Sequence, residues 1–239
     1  MSDRFCDIHV HLIPGVDDGA MSLEMAQDMV IQSMLQGGRA IFATPHSSAF
    51  LSWPETVRDN LQAMWEMLER CRIKMPIYLG CEVRCSALDM SFLEDLQSGS
   101  LPTMNGTRYV LTEFAANIPE DEMRWCVQAL VERDFLPIIA HGERYEAMTC
   151  PLARELKENG CTIQINLDSL TDAADSRIRE VARSLIREKL VDFLGTDAHN
   201  TLDRPPNIRD GLSWLNTELA EDSAYLEAIT WGNAQRYLL

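Results

Sequence analysis

Short runs of β-branched and aromatic residues alternate with amphipathic helical stretches along the whole chain, and this alternation limits the fold to strands joined by helical crossovers. The first strand is expected over 5–11. Ser22 is then placed to cap a helix in which Leu23, Ala26, Val30 and Met34 recur every three or four positions until Gly37 and Gly38 end it. Further strands are expected over 39–43, 77–81, 109–113, 136–140, 162–166 and 191–195. Helices are expected over 56–71, 90–97, 121–134, from Pro151 onward, and over 175–189, 208–219 and 223–238. The run at 136–140 is wholly apolar, as suits a parallel strand buried on both faces. Seven such units with right-handed crossovers either curl into a barrel or lie as an open doubly wound sheet. The 239 residues contain no linker, repeat or low-complexity segment, so 1–239 reads as a single domain.

The histidines favour the barrel. There are five, and each falls at or just beyond the C-terminal end of an expected strand: His9 and His11, His46, His141, and His199. Residues two apart on a strand point to the same side, roughly 6–7 Å apart, so His9 and His11 can grip one ion. Carboxylates occupy equivalent places, with Asp18 in the first loop, Glu82 and Glu113 at later strand ends, and Asp197 two residues before His199. Singly, each has a plainer reading as a helix cap, a turn residue or a solvated strand end. Together, five imidazoles and four carboxylates can hold two or three divalent ions and leave positions open for water and substrate. In a barrel every strand's C-terminal end opens on one pocket, whereas an open sheet spreads those ends across its width. Arg144, three residues after His141, stands at the rim of such a pocket, where a guanidinium can hold two phosphate oxygens. Arg84 is a second candidate for that role.

Charge and cysteine usage remove other classes. A net charge of -16 argues against nucleic acid or an anionic membrane as a bulk partner, so any phosphate site must be local. The opening Met1-Ser2-Asp3-Arg4 lacks the basic and apolar character of an export signal, and no apolar run reaches the roughly 18 residues of a membrane span. A cytoplasmic location is the expectation. Of the seven cysteines, only Cys81 and Cys85 are spaced like half of a zinc site, and none has an Arg six residues downstream. A cysteine-nucleophile phosphatase of the kind that cradles phosphate between those two residues is thereby excluded. The methionines, such as Met25 with Met29 and Met64 with Met67, sit at helical spacing and read as core.

The segment from Asp7 to Ala20, with its Pro14-Gly15 turn and Asp17-Asp18 pair, is followed by Ala43-Thr44-Pro45-His46, Thr112-Glu113-Phe114, Ala140-His141-Gly142-Glu143-Arg144-Tyr145 and Thr196-Asp197-Ala198-His199-Asn200. Taken in that order, these motifs resemble the PHP (polymerase and histidinol phosphatase) superfamily. Within it they are most similar to the bacterial manganese-dependent protein-tyrosine phosphatases of capsule and exopolysaccharide operons. The resemblance implies a distorted seven-stranded (β/α)7 barrel with a site for two or three metal ions, manganese first, with iron or zinc as alternatives. It implies metal ligation by His9, His11, Asp18, His46, Glu82, Glu113, His141, Asp197 and His199, with Glu82 bridging two ions and Asp17 the alternative to Asp18. It assigns phosphate binding to Arg144. The implied substrate is the phosphotyrosine-bearing tail of a tyrosine kinase that controls polysaccharide synthesis. Two positions depart from the pattern. Gly142 replaces a usual Pro, and Ser47 replaces a second His.

The expected chemistry is attack on phosphorus by a hydroxide generated on the metal, with Arg144 holding the remaining oxygens in line and no phosphoenzyme. Asp18 or His199 can supply a proton to the leaving group. Three rivals compete with this reading: a small-molecule phosphomonoesterase such as histidinol phosphatase, an amidohydrolase, and a non-catalytic barrel that binds a kinase tail. The amidohydrolase reading lacks the strand-end lysine common in binuclear members, since Lys74, Lys157 and Lys189 all fall elsewhere.

Overall fold

The computed structural model describes residues 4–239. Met1, Ser2 and Asp3, part of the opening read above for its lack of an export signal, lie outside them. In chain order β1 (Phe5–Val10) leads through α1 (Leu23–Leu35) to β2 (Gly38–Ala43), and α2 (Ser47–Ser52) and α3 (Pro54–Arg70) lead to β3 (Ile77–Leu79) and β4 (Glu82–Arg84). Next, α4 (Ser91–Ser98) precedes β5 (Tyr109–Glu113), α5 (Glu120–Val131) precedes β6 (Leu136–Ile139), and α6 (Cys150–Glu158) precedes β7 (Thr162–Asn166). Then α7 (Ser176–Arg187) precedes β8 (Phe193–Gly195), and α8 (Arg209–Glu218), α9 (Ser223–Glu227) and α10 (Asn233–Tyr237) close the order.

Local chemistry explains most of these boundaries. Ser22 caps α1, its Oγ accepting from Met25 N at 3.2 Å, and Gly37 leaves the helix at φ +107°, where a glycine costs least. Thr149 and Asp175 cap α6 and α7 in the same way. The six-residue α2 was not expected, because Ser47 to Ser52 shows neither a cap nor a full amphipathic period.

All strand pairs are parallel, in two sheets ordered β1-β2-β3 and β4-β5-β6-β7-β8. The strand expected over 77–81 is therefore corrected: β3 ends at Leu79, and a separate strand, β4, begins at Glu82 in the other sheet. The break comes at Gly80 and Cys81, where a side chain on Gly80 would meet Met104 Sδ at 2.6 Å and Thr44 Cγ2 at 2.9 Å. Two seams join the sheets. Val10 bridges Ala198 and His46 bridges Glu82, both in parallel sense. At the first seam His11 N–H donates to Ala198 O (2.9 Å) and Asp197 N–H to His9 O (2.8 Å). The buried Asp7 carboxylate also accepts from Thr196 N (2.9 Å) and Thr196 Oγ (2.6 Å).

Two hydrophobic clusters flank the strands. The larger packs strand residues such as Ile41, Ile139 and Ile165 against helix residues such as Met64, Leu130 and Ile186. The smaller joins both sheets through Ile8 of β1, Phe42 of β2, Leu111 of β5, Ile138 of β6 and Phe193 of β8, with Met104 and with Ala234 and Leu238 from the C-terminal segment. The register of β1 against β2 slips between Asp7 and Val10, and irregularities of this kind re-aim a strand end. Just past this core, the chain turns His9 and His11 together into a polar cluster.

Candidate metal centre

Glu82, at the start of β4, stands in the middle of that cluster and is 1% exposed. Its Oε1 lies 2.9 Å from His141 Nε2 and 3.3 Å from His9 Nε2, and its Oε2 lies 2.9 Å from His46 Nδ1 and 3.3 Å from His11 Nε2. Asp197 Oδ1 is 3.6 Å from nitrogens of His9, His11 and His199. Asp18 closes the outer side, 3.3 Å from His46 Nε2 and 3.5 Å from His199 Nε2. Ligand atoms of His11, Asp18, His46 and His199, of His9, His11 and Glu82, and of His46, Glu82 and Glu113 lie close enough in each group to share an ion. The structure thus brings all nine sequence-expected residues into one place, although they come from six separate stretches of chain.

The donor set fits divalent cations better than it fits itself. His9 Nε2 and His11 Nε2 face each other at 3.3 Å, an approach that gains nothing unless a proton or a cation lies between them. Glu82 Oε2 accepts no hydrogen bond despite its two imidazole neighbours, and His141 Nδ1 is likewise buried without a partner. Burial would raise the Glu82 carboxyl, but His9, His11, His141 and His46 hold it well below the usual carboxylate range. Asp197 is lowered in the same way against its burial, chiefly by His9 and His141. Burial and the neighbouring His11 push His199 down to about 4, which leaves it a neutral imidazole at pH 7.

Behind these residues stand partners that orient them. Asp17 and Asp18 separate cleanly. The Asp17 side chain is 3% exposed and accepts from His11 Nδ1 at 2.8 Å, from Gly19 N and from His46 N, whereas the Asp18 side chain is 64% exposed at the rim. His199 Nδ1 donates to the backbone oxygen of Asp197 at 2.8 Å, a bond that fixes its proton on Nδ1. His141 and Asp197 hold φ of +33° and +54°, a left-handed backbone uncommon outside glycine and often found at functional sites.

A cavity of about 390 Å³ opens on the cluster. Arg144 reaches it with Nη1 2.7 Å from Asp197 Oδ2, and Arg204 joins the same carboxylate oxygen at 2.9 Å. Arg204 had no sequence signal. It returns to the site because Asn200 Oδ1 accepts from the N–H groups of Leu202, Asp203 and Arg204, folding the loop after His199 back on itself. Arg84 lines the cavity too, tied to Glu113 Oε2 and Phe114 O, both at 3.1 Å. Phe114 and Tyr145 form an apolar wall, edge to face at 5.6 Å, with Tyr145 Oη accepting from Phe114 N. Ser47, where a His is usual, accepts from Arg84 N at 3.2 Å. Gly142 packs tightly, since a Cβ there would meet Ile163 Cγ2 at 3.0 Å.

The sequence pattern of the capsular polysaccharide synthesis CpsB/CapC family matches residues 5–239. The chain belongs to the CpsB/CapC family. Among relatives, it is 28% identical over 228 residues to the tyrosine-protein phosphatase YwqE of Bacillus subtilis, covering 92% of this chain and 87% of that one. A solved structure from work on YwqE of Bacillus subtilis and CpsB of Streptococcus pneumoniae, described as metal-dependent tyrosine phosphatases, superposes with a TM-score of 0.86 at 27% identity, covering 98% of this chain and 94% of that one. A β-aspartyl dipeptidase from Fervidobacterium islandicum AW-1 shares only the fold, with a TM-score of 0.61 at 14% identity over 98% of this chain and 72% of that one.

Proposed function

We propose that this CpsB/CapC-family chain is a metal-dependent protein-tyrosine phosphatase acting on the phosphotyrosine-bearing tail of a kinase that regulates capsule or exopolysaccharide synthesis. One observation carries the reading. A cage of five imidazoles and four carboxylates opens on a cavity lined by three guanidiniums, Arg84, Arg144 and Arg204, and by an aromatic wall. His9, His11, Asp18, His46, Glu82, Glu113, His141, Asp197 and His199 would hold two or three divalent ions, manganese first, with Glu82, whose two oxygens face four imidazoles, at the middle of the set. Bound there, such ions activate water and offset charge on the phosphoryl oxygens.

The chain's own residues do the rest. Arg144 and Arg204 share Asp197 and can turn their free N–H groups to phosphoryl oxygens, and Arg84, held on Glu113, lines the same cavity. Phe114 and Tyr145 offer a phenyl ring an apolar surface. A phenolate leaves with a pKa of about 10, so little acid assistance is needed, and Asp18 at the rim is placed to pass a proton outward. Among the described residues no lysine lines the cavity, which counts against the amidohydrolase reading.

The two sheets, closed by bridges at both seams, act in this reading as one seven-fold barrel in which β3 and β4 count as a single bent strand, and 1–239 forms one domain. Among the described residues no helix is long and apolar enough to cross a membrane. A cytoplasmic site of action agrees with that and with a kinase tail as substrate.

The deciding experiment compares phosphate release from a phosphotyrosine peptide and from histidinol phosphate, using chelated protein with and without added manganese. Metal-dependent turnover that favours the peptide is expected. Preference for histidinol phosphate would move the protein to the small-molecule branch of the superfamily, and silence on both substrates would overturn the phosphatase reading.

A further inference from the structure

Strand β7 holds none of the nine ligands, either within it or in the turn that follows, yet two of its side chains are fully buried against them. Gln164 and Asn166, two apart and both 0% exposed, point to the same side. Gln164 Oε1 accepts from His141 N–H at 2.9 Å and stands 3.2 Å from His9 Nδ1. Gln164 Nε2 donates to Asn166 Oδ1 at 2.8 Å, and Asn166 Nδ2 donates to Asp197 Oδ2 at 3.2 Å. The backbone of Asn166 is pinned as well, its N–H donating to the buried Glu143 carboxylate at 3.0 Å.

An amide's oxygen and nitrogen are told apart only by their partners, and here both ends of the chain of bonds settle the matter. A backbone N–H can only donate, so the Gln164 atom facing His141 N is oxygen. Asp197 Oδ2 already accepts from the guanidiniums of Arg144 and Arg204, so it meets Asn166 as an acceptor and the Asn166 atom facing it is nitrogen. With the direction fixed from both ends, His9 Nδ1 meets an acceptor and must carry the proton. Its Nε2 lone pair is then the one turned toward Glu82 and His11.

We propose that Gln164 and Asn166 are positioning residues, an uncharged amide relay that sets the His9 tautomer and seats His141 and Asp197 for metal binding. The inference rests on the reading of those three residues as ligands and is independent of which phosphate ester is cleaved. The relay also explains why amides stand here. His11 is already backed by a carboxylate, Asp17, and a second one behind His9 would add negative charge beside Glu82 and Asp197. A glutamate at 164 would still accept from His9 and His141 but could not donate to Asn166, which would then turn its oxygen toward the Asp197 carboxylate.

Zinc serves as a diamagnetic probe. In zinc-loaded wild-type protein, ¹⁵N spectra should show the His9 proton on Nδ1. Competition with a chromophoric chelator should show Gln164→Leu weakened for zinc by about 10- to 100-fold, the range found for orienting partners of metal ligands. Gln164→Glu should keep the Nδ1–H signal while still losing affinity, a separation that a purely structural role does not produce. A wild-type spectrum with the His9 proton on Nε2, or Gln164→Leu binding zinc as tightly as wild type, would overturn the relay. Should Gln164→Leu fail to fold, the wild-type spectrum and Gln164→Glu decide. Wild-type protein that takes up no zinc would overturn the ligand reading, and the relay with it.

Discussion

At the scale of the residue, the two arginines on Asp197 are the groups best placed to distinguish substrate from water. Arg144→Ala and Arg204→Ala should each lower kcat by roughly 10²- to 10³-fold, the cost of removing one aimed donor from a site of developing charge. Metal content, read by elemental analysis, should stay at the wild-type level, because neither arginine supplies a ligand atom. His11 makes a second prediction. Burial alone would push it down, but its hydrogen bond to Asp17 and the nearby Glu82 carboxylate outweigh that and raise it from 6.5 to about 10 in the metal-free protein. A raised histidine contributes stability that is complete below the unfolded value near 6.5 and lost as pH climbs through about 10. The melting temperature of chelated protein should therefore fall across that window. Metal affinity should rise across it, because uptake must expel the same proton. Calorimetry and chelator competition at matched pH values test both slopes.

Among the elements, β8 is short and yet sets the cluster's geometry. Gly195 lies under His9, and a Cβ there would stand 2.7 Å from His9 Cβ and 3.1 Å from Gln164 Nε2. Gly195→Ala should cost about 1–3 kcal/mol in stability through overpacking, measurable by urea denaturation, and should weaken metal binding by displacing His9. An unchanged metal affinity would show that β1 can yield without disturbing its histidines. The same scale shows what the sequence could convey. Strands β1, β2, β5, β6 and β7 were legible because their apolar runs are bounded by turns. The break between β3 and β4 was not, because it depends on Met104 and Thr44 closing on Gly80, a contact across more than twenty residues in each direction.

Over the whole molecule, the smaller core between the two sheets holds the strands in register beneath the metal cluster. Phe42, fully buried there, is the residue whose loss should be felt most widely. Phe42→Ala should cost about 3–5 kcal/mol, a drop of roughly 10 °C in melting temperature for a chain of this size. Thiol chemistry reports the same packing from the surface. Cys71 is exposed and Cys150 half-buried, while Cys6, Cys81, Cys85, Cys126 and Cys161 are buried, and burial pushes the Cys161 thiol up to about 12. A chromogenic disulfide reagent at neutral pH should modify Cys71 fast and Cys150 slowly, and reach the other five only on unfolding. Rapid reaction of more than two thiols would mean that the native packing opens readily.

The sequence alone determined the alternation of strands and helices, the placing of every histidine at a strand end, and the carboxylates that accompany them. Each of these is written in local periodicity or in residue type, and each reached the structure nearly unaltered. Only the tertiary structure decided that Arg204 joins Arg144 on Asp197, that Asp17 backs His11 while Asp18 faces the mouth, and that Gln164 and Asn166 of β7 stand behind His9, His141 and Asp197. Those assignments depend on which strand ends meet around the pocket and on how one loop folds back. Of these contacts, Gln164 with His9 spans 155 positions and Arg144 with Asp197 spans 53, beyond the reach of any local pattern, and they become definite only when the sheets close on a shared core.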